Sequence, residues 1–377
     1  MSRLNVGNLF NENEDGAPVV SGISTFSSPN YFVPPSGSTA QRPSDPGEGM
    51  IRFNTDSGHL EYYTGTHWAD VITNNNELGD TSNSNSTGGT GTRGLFGNGN
   101  TPSLVNSMEY ITISTLGNAQ DFGDTADARD AAAALSSSTR GLISGGYLAP
   151  STTNNIRFIT IASTGDTTSF GSLSANRNAH AGCASETRGI WGGGSPVQNT
   201  MEYVTIASTG DAVDFGDLTT PRYYLTACSS FVRGIFAGGY TPTPTATSYN
   251  VIDYVTVSST GNAQDFGDLT RLSFNVGGLS NSTRGVFGGG TPGSSNVIDF
   301  ITIATIGNAQ DFGDLSVNRR PTGAASSPTR GVWAGGAPVV NTIDYVMIPA
   351  TGNAVDFGDL ATARATNWGL SNGHGGL

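Results

Sequence analysis

Five times in 377 residues the chain sets two aspartates around a Phe-Gly pair: Asp121/Asp124, Asp214/Asp217, Asp265/Asp268, Asp311/Asp314 and Asp356/Asp359. Carboxylates this close suggest two chemistries. They offer the oxygen ligands that calcium takes, and two of them brought together by folding would supply the acid and base of a glycosidase. The Asp-x-Asp-x-Asp-Gly order of a calcium loop is missing, and the corresponding segment of the remaining unit holds Ser169 and Ser172 instead. The reading that covers all six segments is structural: these aspartates cap turns and pair with arginines, bidentately where geometry allows.

Other reactive types give no constellation. His59, His67, His180 and His374 are scattered, and there is no nucleophile elbow, zinc spacing or phosphate loop. Gly192-Gly193-Gly194 ends a strand-like segment and does not open a helix. Cys183 and Cys228 each lie six residues after an arginine, in a slot that elsewhere holds Leu135, Leu279, Ala325 and Leu370. They read as small buried apolar residues and not as a disulfide framework. The expectation is a protein that is not an enzyme, with no cofactor and no metal.

These residues recur because the chain repeats. Arg-Gly followed by an apolar pair stands at Arg93, Arg140, Arg188, Arg233, Arg284 and Arg330, at spacings of 47, 48, 45, 51 and 46 residues. A fixed period in this range marks a solenoid, propeller or array, and the six arginines read as structural. Each unit has four segments. Segment a is small and apolar, as in Ala131 to Ser136. Segment b runs Arg-Gly-apolar-aromatic-Gly-Gly, as in Arg188 to Gly193, and segment c is acidic-aromatic-β-branched, as in Glu202 to Ile206. Segment d ends Asp-Phe-Gly-Asp. Such runs of β-branched and aromatic residues are strands, and Ser-Thr-Gly-Asn between c and d makes a hairpin. Segment c is apolar on both alternations, with Ile111 and Ile113 on one face and Met108 and Tyr110 on the other, so both faces must be covered.

Four strands in six units predict an all-β chain: a six-bladed β-propeller of four-stranded blades. The repeats start at segment b, near Thr92, and finish with a segment-a sequence, Ala365 to Ser371. The C-terminal strand would therefore complete the first blade and close the ring without an open edge. A linear β-solenoid is the alternative, but it has no use for that overhang. The Gly-Gly pair after an aromatic strand end resembles kelch propeller repeats across 92–371. The Asp-Phe-Gly-Asp segment departs from kelch, where a Trp is usual, so the resemblance bears on architecture and not on partner.

The charge balance narrows the partners. Net charge is −13 and only 12% of residues are charged. An acidic chain lacks the basic footprint of nucleic-acid or anionic-membrane binding. No apolar leader opens the sequence and no run is long enough to span a bilayer, so no membrane insertion is expected. All 17 basic residues are arginine, and a second repeating set follows segment d: Arg129, Arg177, Arg222, Arg319 and Arg364, with Ser273 in the remaining unit. They would pair with acids of segments c or d, or line a channel mouth.

In a four-stranded meander the b–c and d–a connections share one face. The b–c loops vary in length and sequence, and the longest carry Tyr147, Tyr240 and Tyr249. Loops on a rigid scaffold carry function, and Tyr suits recognition. These three are the candidate binding residues; neutral drift in loop length is the alternative for any one loop.

Ahead of the repeats, 1–40 read as an extended arm, 41–72 as a small β-meander and 73–91 as a flexible linker; 372–377 read as a tail following the 92–371 propeller. The meander strands are expected at Met50–Asn54, Leu60–Tyr63 and around Trp68–Ile72. The run Arg42-Pro43, then Gly49-Met50-Ile51-Arg52-Phe53-Asn54-Thr55-Asp56, with Leu60-Glu61-Tyr62-Tyr63 and Gly65-Thr66-His67-Trp68, is similar to a module in virion proteins of tailed bacteriophages. That module occurs in tail-fibre and related structural proteins of marine phages. The repeats, with Thr-Arg-Gly-Val-Phe-Gly-Gly-Gly and Gly-Asn-Ala-Gln-Asp-Phe-Gly-Asp-Leu, resemble marine phage structural proteins too. The resemblance implies a virion component on the tail or capsid exterior. It would attach to other virion proteins through 1–72 and display the propeller to a host-surface glycan or protein. A capsid decoration or tail-tube protein is the second reading and a glycan-active enzyme the third; a homo-oligomer and a monomer both stay open.

Overall fold

The computed structural model describes residues 34–56, 59–70, 92–242 and 244–373. Most of the expected arm, the expected linker at 73–91 and residues 374–377 of the expected tail lie outside them. The chain divides into two compact units, Met1–Asn75 and Asn76–Leu377. The described residues of both form β-strands, and no α-helix occurs among them.

In the first unit, strands Ile51–Asn54, His59–Tyr63 and Trp68–Asp70 pair antiparallel, close to the expected meander. The sheet has a fourth member, however. Ser36–Gly37 runs parallel beside Phe53 and Asn54, and a 3-10 turn follows at Thr39–Gln41. The end of the expected arm is therefore part of the sheet, held by a buried carboxylate. Glu61, fully buried, accepts from Arg42 at 2.5 Å and from Asn54 at 3.1 Å, with Arg52 at 3.5 Å. The Arg42 hydrogen bond is the main influence holding the Glu61 carboxyl below the usual carboxylate range.

The second unit holds six four-stranded antiparallel sheets, each ordered a-b-c-d. Sheet one joins Trp368–Ser371 to Arg93–Gly97, Ser107–Thr112 and Gln120–Asp124, so its a strand comes from the far end of the repeats. The others span 133–172, 181–217, 226–268, 277–319 and 323–364. Alternation along strand b sorts the core. Leu95, Leu142, Ile190, Ile235, Val286 and Val332 face the next sheet, while Phe96, Ile143, Trp191, Phe236, Phe287 and Trp333 face the previous one. One apolar cluster fills each interface. The one between sheets six and one contains Val332 and Phe357 with Phe96, Ile111 and Ile113. Both faces of strand c are covered, as its double apolar pattern requires.

Within each sheet the aromatics and the strand-b arginine form one stack. A bulge opposite the c strand turns the Phe of Asp-Phe-Gly-Asp inward, leaving Phe122 and its equivalents buried. That Phe meets the strand-c aromatic edge-on, as in Tyr203–Phe215 at 6.0 Å. The guanidiniums of Arg93, Arg140, Arg188, Arg233, Arg284 and Arg330 lie 4.4–4.8 Å from the centroids of those strand-c rings. Each also donates to a carbonyl just past strand c of the next sheet, ending with Arg330 on Ile113 at 2.8 Å.

The aspartates of segment d do not pair with arginine, against expectation. Their carboxylates make no hydrogen bond or ion pair among the described residues and stand exposed or half-buried. Their strand serves through its backbone. The c–d turn of the following sheet docks on it: Gly261 and Ala263 donate to the carbonyls of Phe215 and Asp217, and the Asn262 side chain accepts from the Asp217 amide at 3.1 Å. The same contact recurs at all six interfaces, the last placing Asn118 on the Asp359 amide. Gly216 permits this approach: its φ is +138°, and a Cβ there would sit 2.4 Å from the Gly261 carbonyl oxygen.

A hydroxyl chain links the inner strands. Ser371, Ser326, Ser280 and Ser229 each donate to the last a-strand carbonyl of the preceding sheet at 2.6–2.7 Å, and Ser136 donates to Ser371 at 2.6 Å. Only Ala184 lacks the hydroxyl. Cys183 and Cys228 are buried free thiols, and burial pushes Cys183 up to about 12.

Candidate site where the six inner strands begin

All six repeats converge on a cavity of ≈ 90 Å³ at the starts of the a strands. Its lining includes the second residue of five of the six pairs that follow each d–a arginine or its Ser273 equivalent, and the six pairs together are termed the rim: Asp130-Ala131, Asn178-Ala179, Tyr223-Tyr224, Phe274-Asn275, Arg320-Pro321 and Ala365-Thr366. The second of each pair turns left-handed, with φ between +49° and +55° at Ala131, Ala179, Tyr224, Asn275 and Thr366. Their amides form a collar. Ala131 donates to Thr366 (3.1 Å), Ala179 to Ala131 (2.8 Å), Tyr224 to Ala179 (2.8 Å) and Asn275 to Tyr224 (2.9 Å). Pro321 has no N–H and cannot turn left-handed, so the collar is interrupted there.

The first residue of each pair is bonded to the start of a variable loop. Asp130 exchanges backbone bonds with Tyr147, and Tyr223 with Tyr240, so loop differences are delivered to the rim. Each of the two longest loops contains a two-stranded ribbon, Tyr147–Leu148 on Ser151–Thr152 and Tyr240–Thr241 on Thr247–Ser248.

Beneath the rim the d–a arginines are buried and do not line a channel. Arg177 pairs with Glu202, Arg222 with Asp253 (3.1 Å), Arg319 with Asp344 (3.0 Å) and Arg364 with Glu109, each reaching strand c of the next sheet. Two repeats depart and are repaired locally. Where strand c carries Arg157 in place of the acid, Asp127 bridges Arg129 at 3.0 Å and Arg157 at 3.2 Å. Where Ser273 replaces the arginine, Arg271 donates to the Ser273 hydroxyl and to the carbonyls of Gly289 and Val297. Asp299 there has no ion pair among the described residues, and burial pushes its carboxyl up.

The three predicted tyrosines are half-buried and fall in different places. Tyr240 joins an aromatic cluster with Tyr223 (5.6 Å) and Phe274 (4.9 Å); Tyr223 lies 4.6 Å from Tyr224, and Tyr224 lies 6.3 Å from Phe274. Tyr147 sits across the rim beside Asp130. Tyr249 is on the returning limb of its loop, tied by backbone bonds to Gly239 and Ser273, outside the cluster. Sequence reasoning missed Tyr223, Tyr224, Phe274, Asp130 and Arg320. Their signal was present as divergence at one register position following a repeated arginine.

His180 also lines the cavity. Its Nε2 is 2.8 Å from Ser144 Oγ, and its Nδ1 has no partner. Burial holds its pKa well below the ordinary imidazole value, so it is neutral near pH 7. A Ser–His contact begins nucleophilic machinery, but this one lacks a third group to orient the imidazole, and the serine is fully buried. Among the described residues no three His, Cys, Asp or Glu side chains converge as a metal site would need, and no helix is long and apolar enough to cross a membrane.

No protein-family model matches this chain, and no curated protein matches it.

Proposed function

We propose that this is a non-enzymatic structural protein of a tailed-phage virion, a tail-fibre or adhesin-like component. Residues 1–72 attach it to other virion proteins, and residues 92–371 form a six-bladed β-propeller displayed to the host surface. The propeller reading is supported by the cyclic order of the interfaces, in which the sixth sheet meets the first through an apolar cluster, an arginine and a docked turn. One observation carries the binding role. Six near-equivalent sheets vary most at a single rim, where an aromatic cluster and charged residues stand in place of alanine. A scaffold that served only packing would have no need to diversify that rim. The phage setting rests on the resemblance of residues 42–68 and of the repeats to marine phage structural proteins.

The test is immunogold labelling of intact particles with an antibody against residues 92–377. Label on the tail or its fibres is the expected result. Label over the head would make the protein a capsid decoration, and unlabelled particles, with an antibody that binds the folded protein, would refute the virion assignment.

A further inference from the structure

We infer that the rim between the third and fourth repeats is a carbohydrate-binding site, an inference that rests on the host-attachment reading and names its ligand class. Three observations meet there.

The aromatic cluster is not needed for packing. Tyr223, Tyr224, Tyr240 and Phe274 belong to none of the six core clusters, and all four are half-buried. Equivalent rim positions hold Asn178, Ala131, Ala179 and Ala365, so the same backbone forms without the rings. Four aromatic side chains gathered by two adjacent repeats leave partly exposed ring surface at the opening.

The rim also holds polar groups that the fold does not use. Arg320 is the one arginine among the described residues whose side chain makes no hydrogen bond, ion pair or ring contact. The Asp130 carboxylate likewise has no partner among the described residues, though it is half-buried. Asp130 and Arg320 directly precede Ala131 and Pro321 in the chain, and the charges of both reach the Tyr224 hydroxyl. In the cavity wall, His180 Nδ1 and Asn367 Oδ1 are buried and unpartnered. Buried polar atoms are nearly always satisfied, so these two unsatisfied atoms in the cavity wall leave hydrogen-bonding capacity for a partner.

The chemistry then selects the ligand. A pyranose has a face of C–H bonds and a rim of hydroxyls. Aromatic rings cover such a face, a carboxylate accepts from neighbouring hydroxyls, and a guanidinium donates to two at once. A nucleic acid would also stack, but one unpaired arginine on a chain of net charge −13 gives it no phosphate track. Size adds a constraint. A cavity of ≈ 90 Å³ equals the volume of about three waters. A sugar therefore lies across the opening on the Tyr224 side and dips only a substituent inside.

The experiment measures adsorption of the labelled full chain to host cells that are untreated, oxidised with periodate to cleave vicinal diols, or treated with proteinase. It is run alongside Tyr224→Ala, Phe274→Ala and Arg320→Ala, with Leu116→Ser on an exposed c–d turn as control. Alanine at 224 is conformationally acceptable because Ala131 and Ala179 hold the same left-handed turn. Thermal melting checks each fold, and Arg320→Ala carries the test alone if an aromatic variant melts early.

Periodate should abolish adsorption and proteinase should not. Each rim variant should weaken it by up to about tenfold, the range of one lost aromatic or charged contact, while Leu116→Ser leaves it unchanged. Adsorption that survives periodate but not proteinase overturns the carbohydrate inference and leaves host attachment standing. Periodate-sensitive adsorption unaffected in all three folded variants overturns this site. No adsorption to untreated cells overturns host attachment and this inference together.

Discussion

Asp127 repairs a defect in the second repeat, and a double-mutant cycle can measure the repair. At four interfaces a buried arginine meets a strand-c acid, but Arg129 meets Arg157, and only Asp127 offers a carboxylate, at 3.0 and 3.2 Å. Arg129 is fully buried, whereas the Asp127 side chain is 36% exposed. Removing one partner of a wholly buried pair costs about 3–5 kcal/mol. Solvent at Asp127 already screens the pair, which brings Asp127→Ala to about 2–3 kcal/mol. A unit of about 300 residues unfolds with an entropy near 0.6 kcal/mol per kelvin, so melting should drop by about 4 °C. Arg157→Glu restores the acid that Glu109 and Glu202 supply elsewhere. In that background Asp127→Ala should cost under about 1 kcal/mol, leaving a coupling near 2 kcal/mol. Urea denaturation of the four proteins, followed by tryptophan fluorescence, gives the cycle. Equal costs of Asp127→Ala in both backgrounds would refute the repair and, with it, the equivalence of the six ion-pair positions.

Gly216→Ala should destabilise by about 2–4 kcal/mol in the same assay, because the new Cβ meets the docked turn and φ is left-handed; Gly210→Ala, with open space around it and no left-handed φ, should cost much less. Ala184→Ser adds the missing hydroxyl beside the Ser136 carbonyl and should raise stability by about 0.5–1.5 kcal/mol, with unchanged or lowered stability counting against the hydroxyl chain. His180 has a depressed folded pKa, so below the unfolded value of about 6.5 the unfolded chain binds the extra proton. Stability should be full above that pH and fall on acidification, until the folded imidazole itself titrates, by at most about 1.4 kcal/mol per pH unit. Melting curves from pH 7.5 to 5 should show this slope, and His180→Leu, the residue that Leu225 places in the same slot of the next repeat, should flatten it.

The sheets were legible because each strand announces itself. Arg-Gly-apolar-aromatic-Gly-Gly and the doubly apolar strand c have no other stable arrangement, and the leftover a strand at 368–371 named its partner at 93–97. What the segment-d motif does was not legible. Its aspartates drew attention as charges, while its work is done by backbone amides and a glycine, and no side-chain chemistry advertises a carbonyl. The rim was half legible. Loop variation led to Tyr147 and Tyr240, because those loops begin at the rim, but not to Tyr224 or Phe274, which look like ordinary strand residues in the sequence. Tyr249 lies on the returning limb of the same loop as Tyr240, outside the aromatic cluster, with its backbone bonded to Gly239 and Ser273. Ser36–Gly37 escaped notice because a two-residue parallel strand has no alternation to detect.

The shared construction of sheet one sets a timetable for biosynthesis. Strands Arg93–Gly97 and Trp368–Ser371 are translated about 270 residues apart, on the order of 15–50 s at ribosomal speed. During that interval five sheets can assemble in order, each on its predecessor, while strand Arg93–Gly97 waits with one edge uncovered. The last inner strand then buries Trp368 and Leu370 beside Leu95 and gives Asn98 its tryptophan partner at 2.7 Å. A ribosome that stalls before codon 368 therefore releases a chain with one exposed, aggregation-prone seam, which quality control could distinguish from the finished protein.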